Sequence, residues 1–399
     1  MSSQFWLDVC NSSLSRPVED QLKIAAASCG VTVAVFCLAA AVSGTMFLRW
    51  RRIDVNARRP LWKFYGWFCA LSFLGNCFGI AVWVIWWKVL SLYFVVGDLQ
   101  SMQRLDAELL WLTASYHRWV SAFLVLYAFE VLFLCVATLM VLDRMIDFAV
   151  PKEDVLRHRW DFGGRVISWV VFAGSVLGLL CNAASAILYA KAANFFSDSA
   201  LAVAANSTNA DIDILRQRAN VIVDQGDHAA GLQEFCEVFV RLLMIGVFLF
   251  VGIVCANRVS SALTSIRQSD AAVGPDSRER GANLKRRIII TVFVIFLTTL
   301  LRTVEETMFA LSNALQNDKH CANLNVGLCD GSCYNVFALI RRSIFFTPEV
   351  LLVIILISSP LTQLVAVWGM TNERTLQLMK SRGHQTAVAM RDNLLTGEA

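Results

Sequence analysis

Seven apolar stretches, each reaching or approaching the length needed to cross a bilayer, dominate this chain of 399 residues. They run from Leu22 to Leu48, Leu61 to Trp87, Trp119 to Leu142, Val166 to Tyr189, Val238 to Cys255, Ile288 to Leu311 and Ser343 to Trp368. A helix needs about 20 apolar residues to cover roughly 30 Å of hydrocarbon. No water is available there to bond the backbone, so only helices and closed barrels can cross. The runs are continuous, without the alternation of a barrel strand. They predict an all-α membrane protein, a seven-transmembrane helix bundle. Composition agrees, with 57% hydrophobic and 17% charged residues against about 45–50% and about 25% in soluble domains.

Basic residues set the orientation. Five Lys and Arg follow the first run, five follow the third, seven follow the fifth and four lie in the tail, giving 21 on one side. The other side holds seven: Arg16, Lys88, Arg104, Lys191, Arg216, Arg218 and Lys319. The positive-inside bias places the richer side in the cytoplasm, with the N-terminus outside and the C-terminus inside. The sequons at Asn11 and Asn206 fall on the poorer side, where glycosylation occurs. The chain thereby divides into an extracellular tail (1–21), a bundle (22–370) and a cytoplasmic tail (371–399). The first 21 residues carry Asp8, Glu19 and Asp20 and no basic n-region, so the first run is expected to act as its own anchor. A multi-pass protein of the plasma membrane or an endomembrane is expected, with lipid as its surroundings. The net charge of +4 concentrates on the inner face and is no nucleic-acid signature.

Among the loops, the longest, residues 190–233, is polar and Ala-rich; it either caps a pocket or extends the helices. Twelve cysteines divide by position. Seven lie in the runs, as small packing residues. Cys10, Cys236, Cys321, Cys329 and Cys333 lie in or near the outer compartment and are candidate disulfide cysteines. Five is odd, so one is unpaired or bridges to another chain. A bridge among Cys321, Cys329 and Cys333 is preferred over a metal site there, since only His320 accompanies them. Gly174, Gly178, Asn182 and Ala186 in the fourth run, and Gly75 with Gly79 in the second, have the spacing of close helix contacts. Trp83, Trp86 and Trp87 suggest an interfacial belt.

Ionisable groups within the runs are the candidate site, because each costs roughly 2.5–3.5 kcal/mol or more at mid-membrane unless paired or hydrated. Glu130 sits in the third run and Arg302 in the sixth, with Glu305 and Glu306 one turn on and within reach of Arg302. Glu349 follows Pro348 in the seventh, and Arg241, Arg341 and Arg342 enter from outer helix ends. Mutual neutralisation, a polar ligand pocket and an ion path all fit this set. Glu130 has no charged neighbour within a turn, so it must find a partner on another helix or carry a proton. An enzyme is not expected, nor a cofactor: there is no His-Glu-x-x-His and no phosphate-cradling Gly-rich loop, and the five histidines show no ligand spacing.

At the inner end of the third run stands Asp143-Arg144-Met145, with Pro151 eight positions after the aspartate and Trp169 in the fourth run. This resembles the rhodopsin-like G-protein-coupled receptors, whose third helix ends in Asp-Arg-Tyr. Met145 replaces the tyrosine, and Ser359-Pro360-Leu361-Thr362-Gln363 stands where Asn-Pro-x-x-Tyr is expected. The resemblance implies an activation role for Asp143 and Arg144 and a heterotrimeric G protein or other cytoplasmic effector as partner. Basic Lys285-Arg286-Arg287, Arg302 and Pro348-Glu349 look like the plant tobamovirus-multiplication seven-span proteins, which serve as membrane scaffolds. The expectation is a receptor-like signalling protein with an extracellular ligand in a crevice near Glu130, Arg302, Glu305, Glu306, Glu349 and Arg241. It would couple through Asp143, Arg144, Lys285, Arg286 and Arg287. An ion channel or transporter, and a scaffold without ligand, are the alternatives.

Overall fold

The computed structural model describes residues 18–52, 60–101, 107–149, 154–205, 207–269 and 275–316. These form six long helices, and among the described residues there is no strand. In order they are α1 (Val18–Arg51), α2 (Pro60–Ser101), α3 (Ala107–Ala149), α4 (Asp154–Ala204), α5 (Asn209–Ser269) and α6 (Pro275–Gln316). Five carry segments long and apolar enough to cross a membrane: Leu22–Arg51, Tyr65–Val96, Ala107–Leu142, Phe162–Ala204 and Ala210–Val254. This is the build of a multi-pass helical membrane protein. The sixth predicted run lies within the continuous helix α6. The seventh, with Arg341, Arg342 and Glu349, lies outside the described residues, as do Asn11, Asn206, Cys10, Cys321, Cys329 and Cys333.

Each helix packs on the next, and α3 also meets α5. That puts α3 against α2, α4 and α5, so its side chains decide what fills the bundle. Two apolar clusters hold it. One is built on Phe68, Ala137, Val171, Val240, Phe248 and Ile295, and the other on Phe36, Val82, Trp83 and Phe94. Trp67, Trp169, Leu180, Phe239, Phe250 and Ile253 remain well exposed, the pattern of side chains solvated by lipid instead of water.

The Gly-containing faces are turned inward. A Cβ on Gly75 would come within 2.6 Å of Leu134 on α3, and one on Gly174 within 2.6 Å of Val240 on α5. These are close approaches within one chain, made possible by the missing side chain. Of the three tryptophans Trp83, Trp86 and Trp87, Trp83 is buried against the cluster around Phe36, Trp86 packs on Phe123 at 4.8 Å between centroids, and Trp87 is exposed. α2 runs on beyond them to Ser101.

Helix continues through most of both long connections. α5 has 61 residues, about 90 Å at 1.5 Å per residue, three times the hydrocarbon thickness. Residues 190–233 extend α4 to Ala204 and form α5 from Asn209 onward. The Ala-rich composition explains it. Ala192, Ala193, Ala200 and Ala219 are completely buried, and Ala200 and Ala219 form a core with Leu110, Ala114 and Phe196 between α3, α4 and α5. Arg118 donates to Ser197 Oγ at 2.8 Å, Ser185 donates to the Gly226 carbonyl at 2.8 Å, and the Tyr189 hydroxyl donates to Asp227. Thr208 precedes α5; its hydroxyl donates to Asp211 Oδ2 at 2.6 Å across the first turn, and its backbone carbonyl accepts from Asp211 N at 3.1 Å. On the other connection, α6 begins at Pro275, a position where a missing N–H costs nothing.

Candidate functional site

Helical spacing gathers the charges. Tyr127 and Glu130 share a face of α3 at a separation of three. Gln233, Glu237 and Arg241 recur every four residues on α5, and Arg302, Glu305 and Glu306 lie within one turn of α6. Packing of α5 against both α3 and α6 brings these faces together.

Glu306 is the centre of the arrangement. Its Oε1 accepts from Arg302 Nε at 3.0 Å, and its Oε2 lies 2.6 Å from Arg241 Nε. Arg241 Nη2 stands 3.8 Å from Glu237 Oε2. Tyr127 joins the third helix: its hydroxyl donates to Glu237 Oε2 at 3.0 Å and accepts from Arg302 Nη2 at 3.1 Å. Gln233 donates to the other oxygen of Glu237. One phenol thus links a carboxylate on α5 to a guanidinium on α6. Glu130, Glu237, Arg302, Glu305 and Glu306 are buried, and Arg241 is partly so.

The charges do not balance among the described residues, where four carboxylates face two guanidiniums. Glu306 occupies both arginines, and Glu237 is held by Tyr127, Gln233 and Arg241. Glu305 lies near Arg302, yet its Oε2 takes no hydrogen bond among the described residues. Glu130 has Arg302 and Arg241 as charged neighbours, without a direct ion pair to either among those residues.

A cavity of about 100 Å³ lies beside this network, between α3, α4, α5 and α6. Glu130, Glu237, Arg241 and Arg302 contribute its charged wall, and Ser175, Asn182 and Thr299 its neutral polar wall. Gly174 and Gly178 leave the space on the α4 side. It has room for several waters, at about 30 Å³ each in the liquid.

Of the expected pocket residues, Glu130, Arg241, Arg302, Glu305 and Glu306 come together; Glu349 lies outside the described residues. Among the expected coupling residues, Asp143 and Arg144 lie on α3 and Lys285, Arg286 and Arg287 on α6. Arg286 is exposed, and the side chains of the other four lie outside the described part. Trp169 is exposed on α4, against Phe172. Cys236 is a free thiol, a correction to its candidacy for a disulfide. It sits on helix α5 facing Gly178 of α4, where an added Cβ would meet its own at 4.0 Å, and so belongs to a helix contact instead of an outer loop.

Sequence reasoning missed Glu237, Tyr127 and Gln233. Glu237 directly precedes the fifth apolar run and dropped out with the loop before it. The four-residue recurrence Gln233, Glu237, Arg241 is the signal that could have recovered it. Asn182 was visible only as a packing position. Comparison with protein-family models, curated proteins and solved structures returned no match.

Proposed function

We propose that this chain is a receptor-like protein of seven spans, N-terminus outside, in which the α3–α5–α6 charge network is a two-state element coupled to the basic inner face. The observation that carries the reading is the shared use of Glu306 and Tyr127 by three helices. Buried ion pairs contribute little net stability compared with apolar packing, so a network of this kind is better suited to fixing one helix arrangement against another. An extracellular ligand that exchanges one of these pairings would move α5 and α6 relative to α3. Movement at the inner ends would reach Asp143 and Arg144 on α3 and Lys285, Arg286 and Arg287 on α6. The seven spans and their orientation rest on the 21-to-7 charge asymmetry and on the sequons at Asn11 and Asn206.

Capture of heterotrimeric G protein by the purified protein tests the coupling. Capture is expected to be released by a non-hydrolysable GTP analogue and lost in Arg144→Ala; capture unaffected by both would remove the receptor reading. The surplus carboxylates and the small polar cavity support a second reading, an ion channel or transporter. That reading expects solute flux in proteoliposomes, abolished by Glu130→Gln, and fails if flux is absent from the wild type.

A further inference from the structure

We propose that the cavity between α3, α4, α5 and α6 is a binding site for one monovalent cation, held by the Glu130 carboxylate and the Asn182 side-chain oxygen, with water completing its shell. Three independent observations converge on it. The first is the charge imbalance: after Glu306 has taken both guanidiniums, Glu130 is the cavity-lining carboxylate without a direct ion pair among the described residues. A carboxylate without a direct ion pair in a bundle surrounded by lipid is costly, and a bound cation would offset it.

The second is Asn182. It is 1% exposed, it lines the cavity, and its Oδ1 accepts no hydrogen bond among the described residues. A buried amide oxygen without a partner is uncommon and carries a penalty of about 1–3 kcal/mol. It supplies the neutral oxygen that hard cations take alongside a carboxylate. Ser175, seven residues earlier on α4 and so about 10 Å along the helix, is too far to share the ion directly and adds a hydroxyl to the far wall of the same cavity.

The third is size and donor set. About 100 Å³ accommodates an ion with a few waters, and is small for most organic ligands. Among the described residues, no group of three His, Cys, Asp or Glu side chains is placed to hold a metal ion. One carboxylate with neutral oxygens matches a single positive charge better than two. Arg241 and Arg302 also line the space, but Arg302 Nε donates to Glu306 and Arg241 Nε is ion-paired with it at 2.6 Å, so the cation sees a network in which carboxylates outnumber guanidiniums among the described residues.

The site requires no agonist, effector or transport, and stands or falls separately from the receptor reading. Its test is the thermal unfolding of the purified full chain in sodium chloride and in choline chloride at equal pH and ionic strength. Sodium is expected to raise Tm by about 3 °C, the size of shift a ligand well above its Kd produces in a protein of this length. The increment is expected to vanish in Glu130→Gln and in Asn182→Ala, and to persist in Asp213→Asn, which removes an exposed carboxylate on the distant part of α5. Equal Tm values in the two salts for the wild type would overturn the proposal. So would an increment that survives in both cavity variants, which would mark adventitious surface binding only. Should Glu130→Gln fail to fold, sodium NMR line broadening of the wild type against Asn182→Ala decides: broadening confined to the wild type supports the site, and equal broadening refutes it.

Discussion

Glu306→Ala is expected to lower the unfolding free energy by about 3–5 kcal/mol, the loss typical when one partner of a buried charge pair is removed. Both of its carboxylate oxygens are engaged in ion pairs. Oε1 holds Arg302 Nε at 3.0 Å and Oε2 holds Arg241 Nε at 2.6 Å, so alanine strands two guanidiniums at once. Tyr127 then becomes the remaining strong acceptor for Arg302, and Glu237, at 3.8 Å, the remaining counter-charge for Arg241. The adjacent Glu305→Ala is expected to cost much less, because Glu305 makes no direct ion pair among the described residues, where Glu306 makes two, and its removal relieves crowding of like charge near Glu306. Thermal or denaturant unfolding of both variants in one detergent measures the contrast. Equal losses at the two positions would sink the idea that Glu306 is the joint between α5 and α6.

Glu306 also shows what can be read before a fold is known. Arg302 and Glu306 lie four apart, so their pairing follows from helix geometry alone. Its second bond, to Arg241, depends on which faces of α5 and α6 meet, and hydropathy carries no information about that. The same division runs through the chain. Helix existence was legible wherever apolar runs were long, since the bilayer leaves the backbone no alternative. Helix length was legible only as an alternative, because the polar, Ala-rich stretch 190–233 allows either a cap over a pocket or an extension of the helices; buried alanines against Leu110 and Phe196, a tertiary contact, decide for the extension. The site was legible in part for a related reason. Glu130, Arg241, Arg302 and Glu306 are conspicuous as charges within apolar sequence, whereas Tyr127 is an ordinary amphipathic residue until its hydroxyl is found between Glu237 and Arg302. Asn182 sat on a small-residue stripe, and only the space beside Glu130 gives it a second role.

That stripe and its counterpart on α2 support the second large expectation, which concerns shape alone. Gly79→Val is expected to destabilise the bundle by about 1–3 kcal/mol or more. A Cβ at this position would fall inside the van der Waals surface of the Phe36 ring. Phe36 is fully buried, and Ala25, Cys29, Val82, Trp83, Leu90 and Phe94 belong to the same cluster, so the ring has nowhere to rotate. The clash acts against an opposing gain, since most residues favour a helix over glycine by up to about 1 kcal/mol. Gly246 isolates that gain: it is exposed on α5, and nothing lies within 4 Å of an added Cβ. Gly246→Ala should therefore be neutral or slightly stabilising. The decisive variant is the pair Gly79→Val with Phe36→Leu. Leucine vacates the ring volume that valine enters, so the double variant should be less destabilised than the sum of the two single losses, a coupling measurable by unfolding in the same detergent. Additive losses would mean that α1 yields at Phe36 instead of resisting there, and that the contact between α1 and α2 is soft where the packing makes it rigid.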